Sequence, residues 1–180
     1  MKAYFFLANG FEEIEAIAPI DIFRRANIEV ITVSISDNKE VAGAHGVSVL
    51  ADNLFSEIDF NGDFLIFLPG GMPGTKNLDA HEGLKNLINT QVKAGKPIAA
   101  ICAAPSILGK MGLLEGKEAI CYPGFENQLL GAKISEKKIV KSGTISMAKG
   151  AGVTIQFALK LVEDLKGKAE ADRITNSICL

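Results

Sequence analysis

Short apolar runs recur along the chain, and segments with helical periodicity separate them. The clearest runs are residues 3–7, 28–36, 63–68 and 97–101. Their apolar side chains occupy successive positions, so a strand formed there must be covered on both faces. Between them, residues 11–26 and 84–94 repeat apolar side chains every three or four positions, as amphipathic helices do. This alternation predicts an α/β fold, with a doubly wound and mainly parallel sheet between two layers of helices.

The remaining segments carry weaker signals. They predict a hairpin or small excursion at 41–52, a turn at 69–74, helices at 104–111 and 153–165, a short strand at 119–122, and paired strands at 139–142 and 144–148. Pro19 lies inside the first helix and predicts a kink there, and the tail 168–180 is ambiguous. Because the 180 residues contain no repeat or linker, we expect a single domain over residues 1–180.

The charge balance argues against several classes of partner. Lys and Arg number 19 and Asp and Glu 21, which leaves a formal net charge of −2. Such a chain has no basic surplus to neutralise phosphates, so we expect no nucleic-acid partner. No apolar run approaches the roughly 20 residues that span a bilayer, and the apolar start is too short for a signal peptide. We therefore expect no membrane partner, a cytoplasmic location and reduced thiols.

Cys102 is the sharpest chemical signal. Doubly wound sheets bind ligands at the carboxyl ends of their strands, and Cys102 directly follows the fourth apolar run. Small neighbours and a predicted helix behind it fit a nucleophile elbow, in which a strained turn holds the side chain. The dipole of that helix would favour the thiolate and raise reactivity. From spacing alone, a buried structural cysteine is an equal alternative.

A pair of glycines follows the third apolar run, in Pro69-Gly70-Gly71. Adjacent glycines let successive backbone N–H groups converge on one anion or on a developing oxyanion. A plain tight turn explains the same residues equally well. No glycine-rich nucleotide motif is present, so we expect no cofactor of that kind.

A cluster of glutamates, Glu12, Glu13 and Glu15, follows the first apolar run. Favourable electrostatics at a helix start is the simpler explanation for such a cluster. One of these carboxyl groups, pointing over the end of the sheet, could nevertheless meet Cys102. Beside a thiolate it would be driven towards its protonated form and would donate a hydrogen bond to sulfur. The cluster would also repel phosphate, which disfavours a flavodoxin-like cofactor binder.

The remaining histidines and cysteines carry little signal. His81 is expected at a solvated helix start, and His45 in the glycine-flanked excursion is expected at the surface. Neither has metal-ligand spacing to a cysteine, so we expect no metal site. Cys121 is either a resolving thiol or, more simply, a core residue, and Cys179 is expected to be incidental.

The motifs occur in the order seen in the ThiJ/PfpI family, also called the DJ-1 superfamily. The chain resembles this family, and its small DJ-1-like branch above all, from about residue 2 to residue 167. The resemblance is carried by residues 10–15, 23–26, 68–71, 100–105 and 149–152. It implies a flavodoxin-like three-layer sandwich related to class I glutamine amidotransferase folds, a homodimer, and no cofactor.

The resemblance also implies roles for individual residues. Cys102 would be the elbow nucleophile, readily oxidised to sulfinate, and Glu15 the acid that hydrogen-bonds it. The N–H groups of Gly71 and Ala103 would hold an oxyanion. We also expect substrate to contact Gly70, Tyr122 and His45, of which His45 is inferred from its glycine-flanked loop and not from the resemblance.

Two functions follow as expectations. The first is an enzyme of the glyoxalase or deglycase type, which needs no glutathione and acts on a small aldehyde or a glycated substrate. The second is a redox-sensing or chaperone protein of the oxidative stress response. An intracellular peptidase or amidase is the weakest reading.

Two positions depart from the family pattern. Where the protease branch has histidine after the cysteine, this chain has Ala103, so a Cys-His peptidase is not supported. Tyr122 stands where the DJ-1 branch often has histidine, and a phenol with a reference pKa near 10 is a poor base at neutral pH. The proton transfers would then fall to Glu15, with His45 as a further candidate acting across a dimer interface.

Overall fold

A computed structural model describes all 180 residues as eleven strands and six α-helices. The strands are Lys2–Leu7 (β1), Glu29–Ser34 (β2), Glu40–Ala42 (β3), Ser48–Leu50 (β4), Asn53–Leu54 (β5), Phe64–Leu68 (β6), Ile98–Ile101 (β7), Glu118–Ala119 (β8), Lys133–Ile134 (β9), Ile139–Ser142 (β10) and Ile145–Ala148 (β11). The helices are Glu13–Arg25 (α1), Gly74–Ala80 (α2), Glu82–Lys93 (α3), Pro105–Lys110 (α4), Thr154–Lys166 (α5) and Lys168–Ser177 (α6). Three short 3₁₀ helices cover Phe55–Glu57, Glu126–Gln128 and Ala151–Val153.

Seven strands form the central sheet, in the order β10-β11-β7-β6-β1-β2-β5. Every neighbouring pair is parallel except β10 and β11, which close one edge as an antiparallel pair. The predicted α/β fold with a mainly parallel sheet is confirmed. Because the inner strands are parallel, the carboxyl ends of β1, β6 and β7 meet at one edge, where ligands of such folds bind.

Successive residues of each inner strand pack into different cores. In β1, Tyr4 and Phe6 enter one large apolar cluster, while Phe5 enters the other and stacks on Phe67 with ring centroids 4.4 Å apart. Helices α3 and α4 cover the first face, and α1, α5 and α6 cover the second. The lack of polar alternation in these strands follows from this double cover.

Several boundaries differ from the sequence-based expectation. Helix α2 begins at Gly74, where only a turn was predicted, and the ambiguous tail forms α6. Helix α1 continues through Pro19. The predicted strand at 119–122 ends at Ala119 and pairs with β9 in a separate two-stranded sheet, so Tyr122 lies in a loop beyond it.

The predicted strand pairs are confirmed. Strands β3 and β4 form an antiparallel hairpin, and β10 pairs with β11 as expected. No helix combines the length and the apolar character that crossing a bilayer requires.

Candidate active site

Cys102 occupies a strained turn directly after β7. Its φ of 64° lies in the left-handed region, which costs a residue other than glycine about 1 kcal/mol or more. Two backbone hydrogen bonds hold it there: its N–H donates to the Ala148 carbonyl at 2.9 Å, and its carbonyl accepts from the Tyr122 N–H at 2.7 Å. The side chain is half-buried. This is the geometry of a nucleophile elbow, with α4 beginning three residues later.

Glu15 is the fully buried carboxyl group of the site. It lies in the first turn of α1, where Glu12 Oε2 accepts a hydrogen bond from the Glu15 N–H at 2.7 Å and so caps the helix. Its own Oε2 accepts from the Gly70 N–H at 2.9 Å. Its Oε1 accepts no hydrogen bond of good geometry. One carboxylate oxygen is therefore fixed by the backbone, and the Ala151 N–H is a second, weaker donor that lowers the pKa of the group.

Gly70 brings the thiol and the carboxyl group together. A Cβ atom at this position would lie 2.6 Å from Cys102 Cβ, 2.7 Å from Glu15 Oε2 and 3.1 Å from Cys102 Sγ. Gly71 has a φ of 92°, and a Cβ there would collide with the backbone N of Glu12. Only glycines let the loop after β6 pass this close to α1 and to the elbow.

The electrostatics of the site follow from this close packing. Burial raises the pKa of Glu15 to about 7, with a further contribution from the charge of Glu12, against the lowering effect of hydrogen bonds from Cys102 and Gly70. Burial and the Glu15 carboxylate raise the pKa of Cys102 to about 12. The pair therefore loses one proton near neutral pH and keeps the second into strongly alkaline solution.

The expected effect of the helix dipole on Cys102 is outweighed. The pKa of the thiol beside an ionised Glu15 is raised rather than lowered, because burial and the neighbouring carboxylate dominate. Backbone N–H groups of Ala103 and Gly71 act in the opposite direction and lower that pKa. These are the two donors predicted for an oxyanion, and both face the sulfur.

Tyr122 and Gly150 form the rim of the site. The Tyr122 ring is half exposed, and a Cβ at Gly150 would lie 3.2 Å from its Cδ2 atom and 3.9 Å from Glu15 Oε1. Sequence reasoning noted the segment 149–152 only through the family resemblance. The sequence did not predict the contact of Gly150 with Tyr122. The only pattern that pointed to it is the pair Gly150 and Gly152 directly after a predicted strand.

His45 lies outside the Cys102–Glu15 pair of its own chain. Its Nδ1 atom is 2.8 Å from Glu13 Oε2, its backbone N–H donates to Glu13 Oε1 at 2.6 Å, and its side chain is exposed. The hydrogen bond with Glu13 raises the pKa of His45. Its predicted action across a dimer interface stays a prediction.

The other histidine and the other two cysteines have structural explanations that involve no chemistry at the site. His81 caps α3 by accepting from the Leu84 N–H at 3.0 Å, and it is half-buried against Phe55 instead of solvated. Cys121 is a core residue, and burial raises its pKa to about 11. Cys179 is exposed near the C-terminus.

Glu12, Glu13 and His45 place three potential metal ligands within 4.8 Å of one another. Each already has a protein partner: Glu12 caps α1, and Glu13 and His45 bind each other. Their hydrogen bonds account for the cluster without a cation.

The chain is similar along its length to proteins of known family. A model of the DJ-1/PfpI family matches residues 1–164. Protein DJ-1 homolog A of Arabidopsis thaliana is 38% identical over 177 residues, 97% of this chain and 45% of that protein, so the chain spans about half the length of this relative. Glutathione-independent glyoxalase DJR-1.2 of Caenorhabditis elegans is 30% identical over 171 residues, 94% of this chain and 90% of that protein. A solved structure described as oxidized Toxoplasma gondii DJ-1 has a TM-score of 0.94 at 38% identity and covers 99% of this chain and 97% of its own.

Proposed function

The chain belongs to the DJ-1/PfpI family, and from that premise we propose that it converts small 2-oxoaldehydes to hydroxy acids, with Cys102 as nucleophile and Glu15 as acid–base. The observation that carries this proposal is the contact of the elbow thiol with a buried carboxyl group whose pKa is raised to about 7. A general acid–base works best when its pKa lies near the operating pH. The name of the nematode relative supports the same reaction class.

The reactive form in this proposal is a Cys102 thiolate beside a protonated Glu15. The pair holds one proton at neutral pH, and the N–H groups of Ala103 and Gly71 favour negative charge on sulfur. Burial favours the neutral form of Glu15, which is the protonated carboxyl group of this pair. The carboxylic acid would then donate to sulfur.

Catalysis would begin with addition of the thiolate to the aldehyde carbon. The new C–S bond gives a hemithioacetal, and its oxygen lies against the Gly71 and Ala103 N–H groups. Glu15 first donates its proton to that oxygen and becomes a carboxylate. The carboxylate then transfers the proton from the aldehyde carbon to the neighbouring carbonyl carbon, while the hydroxyl proton passes to the carbonyl oxygen, which turns the hemithioacetal into a thioester of the hydroxy acid. Water then cleaves the thioester, which releases the acid and restores the thiol. The same addition step would serve on a glycated substrate.

Replacement of Cys102 by serine tests this proposal. We expect Cys102→Ser to lower methylglyoxal turnover by at least about a thousandfold, as loss of a nucleophile does in other enzymes. Cys121→Ser is the matched control, because this core thiol has no contact with Glu15, and it should keep turnover near the wild-type rate. Unchanged turnover in Cys102→Ser would refute the proposal.

A redox-sensing role is the second candidate. The observation that favours it is the half-buried thiol on a strained elbow, with backbone N–H groups and a carboxyl group placed to hold added oxygen atoms. Mild peroxide followed by peptide mass analysis would show oxidation concentrated on Cys102. Equal oxidation of Cys102, Cys121 and Cys179 would argue against a tuned site.

We also propose a homodimer, formed through an apolar face of α1 and the β3–β4 hairpin. Ile14, Ile17, Val47 and Leu50 are large apolar side chains that are 40 to 77% exposed there. Ile17 and Leu50 line one shared groove, which joins α1 to the hairpin. Light scattering should give twice the chain mass for the wild type, and Leu50→Asp should shift the equilibrium towards the monomer. A monomeric wild type would refute the dimer.

A further inference from the structure

A cavity of about 430 Å³ lies beside the Cys102–Glu15 pair. Its lining consists of Tyr122, Pro123, Lys138 and residues 149–153. Two of these side chains are lysines, and none is acidic. The only charged side chains of the cavity are therefore cationic, and both are exposed, although the whole chain has a net charge of −2.

The cavity shares a wall with the reactive pair. Gly150 lines it and is the position at which a Cβ would lie 3.9 Å from Glu15 Oε1. Tyr122 also lines it, and the Tyr122 N–H donates to the carbonyl of Cys102 at 2.7 Å. Cys102 itself does not line the cavity. A molecule reacting at Cys102 would extend past Tyr122 and Gly150 to reach the lysines.

The two lysines face each other across an antiparallel strand pair. The Lys149 N–H donates to the Lys138 carbonyl at 3.0 Å, one step beyond the pairing of Ile139 with Ala148. Side chains at opposed positions of such a pair share one face, where like charges destabilise the sheet.

No acidic group offsets this repulsion. The nearby Lys137 and Lys141 have ion pairs with Glu118 and Asp164, at 3.0 and 2.8 Å, whereas Lys138 and Lys149 have none. Two opposed, unpaired lysines at the edge of a reactive site create a place for an anion.

We propose that Lys138 and Lys149 form a phosphate subsite, which selects carbonyl substrates that carry a phosphate monoester. A phosphate monoester carries a charge close to −2 at neutral pH and three strong acceptor oxygens, which match two ammonium groups. The identity of the reacting carbonyl rests on the proposed function, but binding of the phosphate to the lysines does not require Cys102.

Binding of glycerol 3-phosphate tests the subsite without any turnover. In amide NMR spectra at constant ionic strength, we expect saturable shifts at residues 149–151, which glycerol does not produce. The double variant Lys138→Gln/Lys149→Gln should weaken binding by about tenfold or more, because it removes two charge-assisted contacts. Lys133→Gln, which changes an exposed lysine without an ion pair in the separate β8–β9 sheet, is the matched control. Lys138→Arg/Lys149→Arg should retain binding and shows that the positions tolerate substitution.

Either of two results would overturn the subsite. One is the absence of saturable shifts with glycerol 3-phosphate; the other is equal affinity in the wild type and in a folded double glutamine variant. A kinetic comparison separates this failure from that of the proposed function. The ratio of kcat/KM for hydroxypyruvaldehyde phosphate to that for methylglyoxal should fall by about tenfold in the double variant. Lysine-dependent binding without turnover of either aldehyde would support the subsite and refute the proposed function, and methylglyoxal turnover without phosphate binding would do the reverse.

Discussion

Glu13 and Glu15 lie in the same turn of α1, and both are buried, yet their surroundings shift their pKa values in opposite directions. Burial raises the pKa of Glu13, but hydrogen bonds from the side chain and backbone of His45 outweigh it, so that its pKa is below the usual value. Burial raises the pKa of Glu15 to about 7, because its donors are fewer and its neighbours are a thiol and the Glu12 carboxylate. Hydrogen-bond donors and neighbouring charges, and not burial alone, determine the pKa of each carboxyl group. Glu13 therefore binds the β3–β4 hairpin as a carboxylate, whereas Glu15 is available for proton transfer.

The largest expected effect concerns activity at Glu15. Glu15→Gln preserves the shape and the acceptor for Gly70, but it removes the ionisable group, so kcat/KM for methylglyoxal should fall by about a thousandfold. Glu13→Gln should lower it by less than about threefold, because Glu13 binds the hairpin and does not touch the thiol. Equal losses in the two variants would remove the distinction between these carboxyl groups.

Glu15 and Glu13 can also be compared through the glycine that packs against each of them. A Cβ at Gly70 would overlap Cys102 and Glu15, whereas a Cβ at Gly43 would overlap the Glu13 carboxylate. Gly70→Ala should lower kcat/KM by about a hundredfold, because small misplacements of reacting groups have effects of that size. Gly43→Ala should mainly lower the melting temperature. A Gly43→Ala variant that is less active than Gly70→Ala would contradict the comparison.

Stability should depend on pH through Glu15 in an unusual direction. The Cys102–Glu15 pair loses its first proton near pH 7 in the folded state, whereas an unperturbed glutamate loses its proton near pH 4.5. The stability from the fully protonated pair is therefore complete below pH 4.5 and is lost as the pH rises through 7, whichever of the two groups then carries the charge. At pH 8 this loss amounts to about 3 kcal/mol. Urea unfolding should therefore find Glu15→Gln more stable than the wild type at pH 8 and similar to it at pH 4.5. A destabilised variant at pH 8 would show that the charged carboxylate is favoured.

The smallest expected effect concerns Glu13, whose contribution to stability should depend on pH in the opposite direction to that of Glu15. Its lowered pKa means that its stability contribution is present above pH 4.5 and is lost as the pH falls through the folded-state value. Glu13→Gln should lower the free energy of unfolding at pH 7 by about 1–2 kcal/mol, since it removes the charge from buried hydrogen bonds. The difference from the wild type should shrink in acid. A constant difference from pH 3 to pH 8 would show that the charge of Glu13 is irrelevant.

Local patterns in the sequence predicted the sheet, the elbow and the glycine loop. They could not assign separate tasks to Glu12, Glu13 and Glu15, because simple helix-start electrostatics explained all three. The structure assigns Glu12 to capping, Glu13 to the hairpin around His45, and Glu15 to Cys102. These tasks depend on contacts with residues far away along the chain, which periodicity does not encode.

The same limit applies to the edge of the site. Lys138 and Lys149 lie opposite each other because of the register of β10 and β11. The sequence predicted two paired strands at 139–142 and 144–148 but left their register open. Tyr122 was predicted at the end of a short strand, but that strand ends at Ala119, and Tyr122 lies in a loop whose backbone N–H donates to the Cys102 carbonyl.

The pH dependence of Cys102 alkylation tests the shared proton of the reactive pair most directly. In a Cys121→Ser/Cys179→Ser background, the rate of reaction with iodoacetamide should rise with a midpoint near pH 7, where the pair loses its first proton. Glu13→Gln should keep that midpoint, and Glu15→Gln should abolish it. A single midpoint above pH 9 with both glutamates present would contradict this result, because it would show that ionised Glu15 lies beside a neutral, unreactive thiol.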